Sequence, residues 1–245
     1  MARTIDWAVN VDKLRVCFTM PENLYGYLKE HYTSRDELTA ARILGEDTFS
    51  LVFIEEDEVK MTAVLNVRDV EGYYRLGTFT FSNSAKYAGK AFFSFENSAL
   101  YRVYLRFPNA EPKNHICDLQ YVADFYGMEF NNITELELAF DSTFNYISKV
   151  RKMIKDTDAY DLYLNGKKVK DDETLDGYGE YYTRSRVKMS KLPTLYFSQA
   201  KDTDMKMRVY DKARELNENS PNKAERLKEW LGWDPIDKSY RVEVV

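Results

Sequence analysis

The sequence predicts an α+β fold with a mainly antiparallel central sheet and flanking helices. Alternating aromatic and β-branched runs recur at short intervals, which is the period-two pattern of strands. Helical periodicities fall in a few separate stretches between those runs, a succession that favours α+β over a doubly wound parallel sheet. An aromatic load of 19 Tyr and 14 Phe suits strands, and also base stacking.

In chain order, 12–19 (DKLRVCFT) reads as a strand, and 21–32 (PENLYGYLKEHY) as a helix with Pro in its first turn and Leu24, Leu28 and His31 along one side. Strand patterns follow at 48–55, 58–66, 73–82 and 91–96, with EED at 55–57 as a hairpin turn. Residues 115–127 place Ile116, Leu119, Val122 and Phe125 at helical spacing and stop at Gly127; His115 falls at the helix start. A strand at 133–141 (ITELELAFD) precedes a helix from about 143 to 155. A loop-rich region at 157–192 contains the Asn165-Gly166 turn signal. Strands at 193–198 and 205–211, a helical stretch at 212–231 broken at Ser220-Pro221, and a last strand at 239–245 complete the pattern. The chain ends inside that strand, which points to a piece of a longer protein.

A chain of 245 residues with 44% hydrophobic and 31% charged residues is expected to be globular, as one domain or as two lobes at 1–130 and 131–245. It shows no spanning apolar run and no signal-peptide pattern in MARTIDWAVN, so a cytoplasmic location and no membrane partner are expected. Cys17 and Cys117 sit in apolar patterns without ligand-spaced neighbours, which reads as buried thiols rather than a zinc site or disulfide. The net charge of -5 weighs against indiscriminate coating of nucleic acid and leaves room for local basic patches.

Strand parity then isolates the residues that could carry chemistry. In ITELELAFD one face presents Glu135, Glu137, Ala139 and Asp141, a crowding of carboxylates that a divalent cation would relieve. In MKMRVYD, Lys206, Arg208 and Tyr210 share a face, and in SYRVEVV, Arg241 and Glu243 do. Oxygen ligands suit Mg or Mn, and without a His pair or thiolate cluster zinc and iron are poor fits. The same alternation is what any solvated antiparallel face shows. A phenol, with a pKa of about 10, becomes a nucleophile only when a base, cations or a metal activate it. Arg208 and Lys212 flank Tyr210 closely enough to contribute.

ELELAFDS, TLYFSQAKDTDMKMRVYDKARE and YRVEV together resemble the plasmid rolling-circle replication initiators of the replication initiation factor (Rep_trans) family, which lack the histidine-pair motif. That family carries an Arg-x-Asp-x-Ala-x-Asp strand, a Tyr-Phe-Gly segment leading to Arg-Ile-Tyr-Asn/Asp-Lys, and an Arg-Val-Glu strand. The corresponding blocks here are Glu135 to Asp141, Tyr196 to Lys212, and Arg241 to Glu243, in the same order. The resemblance covers roughly 131–245 and departs at Glu135, Glu137 and Ser198, where the family has Arg, Asp and Gly.

It implies an endonuclease that nicks and rejoins origin DNA. Tyr210 would attack a phosphodiester, leaving a 5'-phosphotyrosine link and a free 3'-hydroxyl, aided by Arg208 and Lys212. It further implies Mg or Mn held by Glu137, Asp141 and Glu243. The implied DNA contacts are Tyr196 and Arg241, to which the basic aromatic stretch YYTRSRVKMSK adds Arg184, Arg186, Lys188 and Lys191 beside Tyr181 and Tyr182. Implied partners are origin DNA presented as a single strand or cruciform, a host replicative helicase and a second copy of the chain. A non-cleaving origin-binding initiator and a metal-dependent nuclease using water remain open beside this reading.

Overall fold

The structure is a computed structural model that describes residues 6–32, 41–42, 49–69, 72–100, 115–155, 159, 163–164, 167–168, 194–197, 207–219 and 221–244. Two compact units emerge, one from Asp12 to Leu136 and the other from Glu137 onward together with the stretch up to Val11. The division falls inside a strand rather than at 130/131, and the N-terminal stretch groups with the later half of the chain. The α+β class is observed: antiparallel sheets with helices flanking them.

In chain order the first elements are β1 (Trp7–Thr19), α1 (Leu24–Tyr32), β2 (Ala41–Arg42), β3 (Phe49–Glu56), β4 (Lys60–Asp69), β5 (Gly72–Ser82), β6 (Lys90–Phe95), α2 (Asn97–Leu100), α3 (His115–Phe125) and β7 (Glu129–Ser142). Within the Asp12–Leu136 unit the strand order is β7-β1-β6-β5-β4-β3-β2, with β1 and β7 contributing only part of their lengths. Alternation sorts its two faces. In β6, Ala91, Phe93 and Phe95 are buried, while Lys90, Phe92 and Ser94 are half-buried on the reverse.

The buried face is an aromatic cluster: Phe79 lies 5.2 Å from Phe81, 4.6 Å from Phe93 and 6.4 Å from Phe18 between ring centroids. Ring pairs of this kind add about 0.5–1.5 kcal/mol each beyond their area burial. α3 stacks Tyr121 on Phe49 at 5.4 Å and buries Leu119 and Val122 as its spacing predicts. Phe125 is instead 46% exposed, and Ala123 and Tyr126 are buried in its place. Gly127, at φ 63, ends the helix in the left-handed conformation that glycine adopts without penalty.

The EED turn is displaced. Glu55 and Glu56 remain in the β3–β4 ladder opposite Thr62 and Met61. The chain reverses over 57–59, where Asp57 Oδ1 accepts a hydrogen bond from the Val59 amide at 2.8 Å, a local closure that a short acidic side chain makes easily.

The remaining elements are α4 (Tyr146–Lys155), β8 (Tyr163–Leu164), β9 (Lys167–Lys168), β10 (Thr194–Phe197), β11 (Met207–Asp211), α5 (Lys212–Asn219), α6 (Pro221–Leu231) and β12 (Tyr240–Val244). β8 and β9 pair with each other, and Asn165-Gly166 lies outside the described residues. Pro221 opens α6, where its missing N–H costs nothing. In this unit the sheet order is β10-β11-β12-β7-β1. The last strand in sequence is thus inserted between β11 and β7. One face packs on α4 through Ile147 and Val209, with Tyr146, Val150, Met207, Tyr240 and Val242 around them. The opposite face is polar.

No helix among the described residues is long and apolar enough to cross a membrane. Cys17 is buried and its thiol is free; burial pushes it above the ordinary thiol range.

Candidate functional site

Antiparallel register carries the parity of β10, β11, β12 and β7 into two cross-strand rows. Thr194, Tyr210, Arg241 and Asp141 stand opposite one another in the first row, and Tyr196, Arg208, Glu243 and Ala139 in the second. Residues on one face of neighbouring strands and their diagonals lie within reach of long side chains. The three sequence blocks therefore meet because β12 lies between β11 and β7.

At the centre, the Tyr210 hydroxyl donates a hydrogen bond to Glu243 Oε1 at 2.5 Å. Lys212, the first residue of α5, donates from Nζ to the Tyr210 oxygen at 3.5 Å and forms an ion pair with Glu215 at 2.6 Å. Arg208 joins the glutamates: its Nη2 forms an ion pair with Glu243 Oε2 and lies 3.5 Å from Glu137 Oε2. Tyr210 is 8% exposed. Burial pushes its phenol well above the usual range, the Arg241 cation opposes that shift, and the charge and hydrogen bond of Glu243 add to it.

Glu137 and Glu243 belong to a group of carboxylates whose oxygens lie within 4.8 Å of one another, close enough to hold one metal ion. Glu243 Oε2 faces Arg208 and accepts no hydrogen bond among the described residues. The Arg208 side chain is 36% exposed and that of Glu137 12%, against 2% for Glu243, so this end of the constellation is the one open to solvent.

Asp141 and Arg241 take other roles than those implied by the resemblance. Asp141 is fully buried, and both its oxygens are engaged: Oδ1 by Arg241 Nε at 2.7 Å, Oδ2 by Arg241 Nη2 at 2.8 Å and by Asn10 Nδ2 at 2.9 Å. These three hydrogen bonds fill most of the roughly four lone-pair sites of a carboxylate and the Arg241 cation already balances its charge, and Asp141 is not among the carboxylates grouped closely enough to share a cation. Arg241 is 1% exposed and also approaches Glu243 Oε1 through Nη1 at 3.4 Å, so it meets carboxylates rather than the DNA backbone. Glu135, on the same strand, belongs to the other unit and pairs there with Lys13 at 2.5 Å.

Asn10 and Trp230 were not legible as site residues. Asn10 precedes the predicted strand 12–19, yet β1 begins at Trp7 and carries it under the site, where Trp230 Nε1 of α6 donates to its Oδ1. An isolated polar residue in WAVNV is the only signal that could have found it. The backbone of Tyr196 lies in β10 opposite Arg208, while its side chain, Ser198, and the stretch with Arg184, Arg186, Lys188 and Lys191 lie outside the described residues.

The class defined is an α+β protein whose sheet face gathers a buried phenol, two glutamates and their cations. No known protein family, curated protein or solved structure shows a significant match to the chain.

Proposed function

We propose that the protein is a rolling-circle replication initiator that nicks and rejoins origin DNA through Tyr210 with a divalent cation. The observation that carries this reading is the 2.5 Å hydrogen bond from the Tyr210 hydroxyl to Glu243, set among Lys212, Arg208 and Glu137. It gives the phenol both a proton acceptor and adjacent positive charge, the two aids a tyrosine nucleophile needs.

In the proposed step the phenol proton passes to Glu243 as the Tyr210 oxygen bonds to phosphorus. The bond from phosphorus to the 3'-oxygen breaks, that oxygen takes a proton from water and Glu243 gives the phenol's proton up to solvent, leaving a 5'-phosphotyrosine and a 3'-hydroxyl. The reverse attack by that hydroxyl rejoins the strand. Arg208 would hold the phosphate, and Lys212 would stabilise the phenolate. A cation on Glu137 and Glu243 would polarise the phosphate; Mg or Mn fits an all-carboxylate donor set. Asp141 and Arg241 position the site by locking β7 to β12. Origin DNA, a host helicase and a second copy of the chain are the partners this reading calls for.

Incubation with supercoiled plasmid carrying a matching origin and Mn should yield nicked circles with protein attached. Tyr210→Phe should abolish both the nick and the attachment, and undiminished nicking by that variant would exclude Tyr210 as nucleophile.

The burial of Tyr210 favours a second reading, an initiator that binds its origin without cutting. Tight, sequence-selective binding with unchanged supercoiling in every divalent metal would support it. A nuclease using water is the outcome marked by full activity in Tyr210→Phe.

A further inference from the structure

We infer that the outer face of the Asp12–Leu136 sheet binds single-stranded DNA at a cation and aromatic cluster centred on Phe92. The choice of DNA as ligand rests on the function proposed above; the surface itself is independent of the Tyr210 site.

Phe92 sits on the half-buried face of β6, opposite Cys17 of β1 and Thr80 of β5. A large aromatic on that face is out of pattern, because its strand neighbours there are Lys90 and Ser94. Its ring is instead built into a cationic assembly. The Arg15 guanidinium lies over it at 4.9 Å, Tyr87 meets it edge-on at 5.5 Å, and Lys86 Nζ lies 5.0 Å from the Tyr87 ring. Lys90 Nζ donates to Thr19 Oγ1 at 2.9 Å.

Among the described residues, Arg15, Lys86 and Lys90 form no ion pair, in a chain with 40 acidic residues against 35 basic ones. Lys13 and Arg75 of the same unit, by contrast, are paired with Glu135 and Glu96. Arg15 Nε is buried and has no hydrogen-bond partner among the described residues. Arg15 over Phe92, Lys86 over Tyr87 and Lys90 beside them supply charge complementarity to a polyanion.

The rings decide which polyanion fits. An acidic peptide needs only the cations, whereas a nucleobase also stacks on aromatic or guanidinium planes, here Tyr87, 42% exposed, and the Arg15 guanidinium that lies over Phe92. Unpaired DNA presents both phosphates and accessible base faces, and nicking at an extruded origin generates it.

The test measures fluorescence anisotropy of a labelled fifteen-nucleotide thymidine oligomer with full-length Tyr210→Phe protein, so that cleavage plays no part. Lys86→Glu with Lys90→Glu should weaken binding at least tenfold, and Tyr87→Ser several-fold, with unchanged thermal melting. Should either variant melt early, the milder Lys86→Gln with Lys90→Gln should lower the salt slope of log K by about 1.4, from roughly 0.7 for each single-strand phosphate left without its lysine. An abasic oligomer of the same length should bind more weakly than the thymidine one. Unaltered affinity in the lysine variants overturns the inference, and so does equal binding of polyglutamate, which would mark the face as an acidic-peptide surface. Origin nicking by the unsubstituted protein is scored separately. Nicking with unaltered oligomer affinity sinks this inference alone, and weakened affinity without nicking sinks the proposed activity alone.

Discussion

Arg241 grips Asp141 side-on, Nε to Oδ1 at 2.7 Å and Nη2 to Oδ2 at 2.8 Å, with the two side chains 1% and 0% exposed. Taking both charges out of water is costly, and the pair offsets that cost only while its geometry is intact. Asp141→Asn or Arg241→Leu alone should therefore destabilise its unit by about 3–5 kcal/mol, since each leaves a charge buried without its counterpart. Replacing both, as Asp141→Leu with Arg241→Met, should recover most of that loss. Urea unfolding followed by circular dichroism measures all three, and additive losses in the double variant would show that the pair is not coupled.

Tyr210 makes alkaline stability a reporter of the site. Its folded phenol ionises well above the usual range because burial disfavours the phenolate. The unfolded chain therefore releases this proton first as pH rises, so ∂ΔG/∂pH is negative above about pH 10. The stabilisation is fully present below that pH and is lost progressively towards the folded pKa. Urea midpoints should fall as pH rises through about 10, and the fall should be shallower in Tyr210→Phe. Equal slopes in the two proteins would show that the phenol is not held neutral by its surroundings.

The proposed metal chemistry separates the two glutamates. Glu137→Gln removes a ligand and weakens the contact with Arg208 but leaves the phenol's proton acceptor in place, so nicking should need more Mn for half-maximal rate while keeping much of its maximum. Glu243→Gln removes a ligand and the acceptor of the phenol proton, and its maximal rate should fall by roughly 10²–10⁴, the usual worth of a general base. Chelation by EDTA should stop nicking in the parent, and Mn should restore it. Titrating Mn against nicked-circle yield distinguishes these outcomes, and matching profiles for the two variants would remove the acceptor role of Glu243.

Much of this arrangement could be read from period-two alternation. It set Glu137 beside Asp141, Arg208 beside Tyr210, and Arg241 beside Glu243, and those parities hold in the strands. Which faces meet is a matter of strand order, and nothing local in YRVEV says that the last strand inserts between β11 and β7. For the same reason the cations could not be apportioned from sequence. Arg241 and Arg208 look alike there, yet the register puts Arg241 opposite Asp141 and Arg208 opposite Glu243. The contribution of Asn10, so far away in the chain, required β1 to start at Trp7, earlier than its apolar pattern indicates. Parity in AFFSFE already sets Phe92 apart from Phe93 and Phe95, but nothing local says that Arg15 and Tyr87 gather on its ring, which depends on strand order and on the 83–89 turn.

Gly77 is the position at which the sheet of the Asp12–Leu136 unit tolerates no side chain. The β4–β5 register slips between Leu65 and Asn66, which pair with Gly77 and Arg75, leaving Leu76 as the extra residue of a bulge. The bulge brings Gly77 against β6, where a Cβ would lie 2.3 Å from the Ser94 carbonyl oxygen and 2.5 Å from Phe93 Cζ. A backbone oxygen paired in a ladder cannot turn aside as a side-chain tip can, so Gly77→Ala must push β5 from β6 and disturb the Phe79–Phe93 contact. Overpacking of this kind costs about 1–3 kcal/mol, and the backbone contact places this variant at or above the upper end. Gly26 of α1, where a methyl would meet nothing within 4 Å, is the control: Gly26→Ala should raise stability by about 0.5–1 kcal/mol through helix propensity. Thermal unfolding of the two variants side by side should move the midpoint in opposite directions, and a Gly77→Ala midpoint equal to the parent's would show that β5 and β6 are not in this close contact.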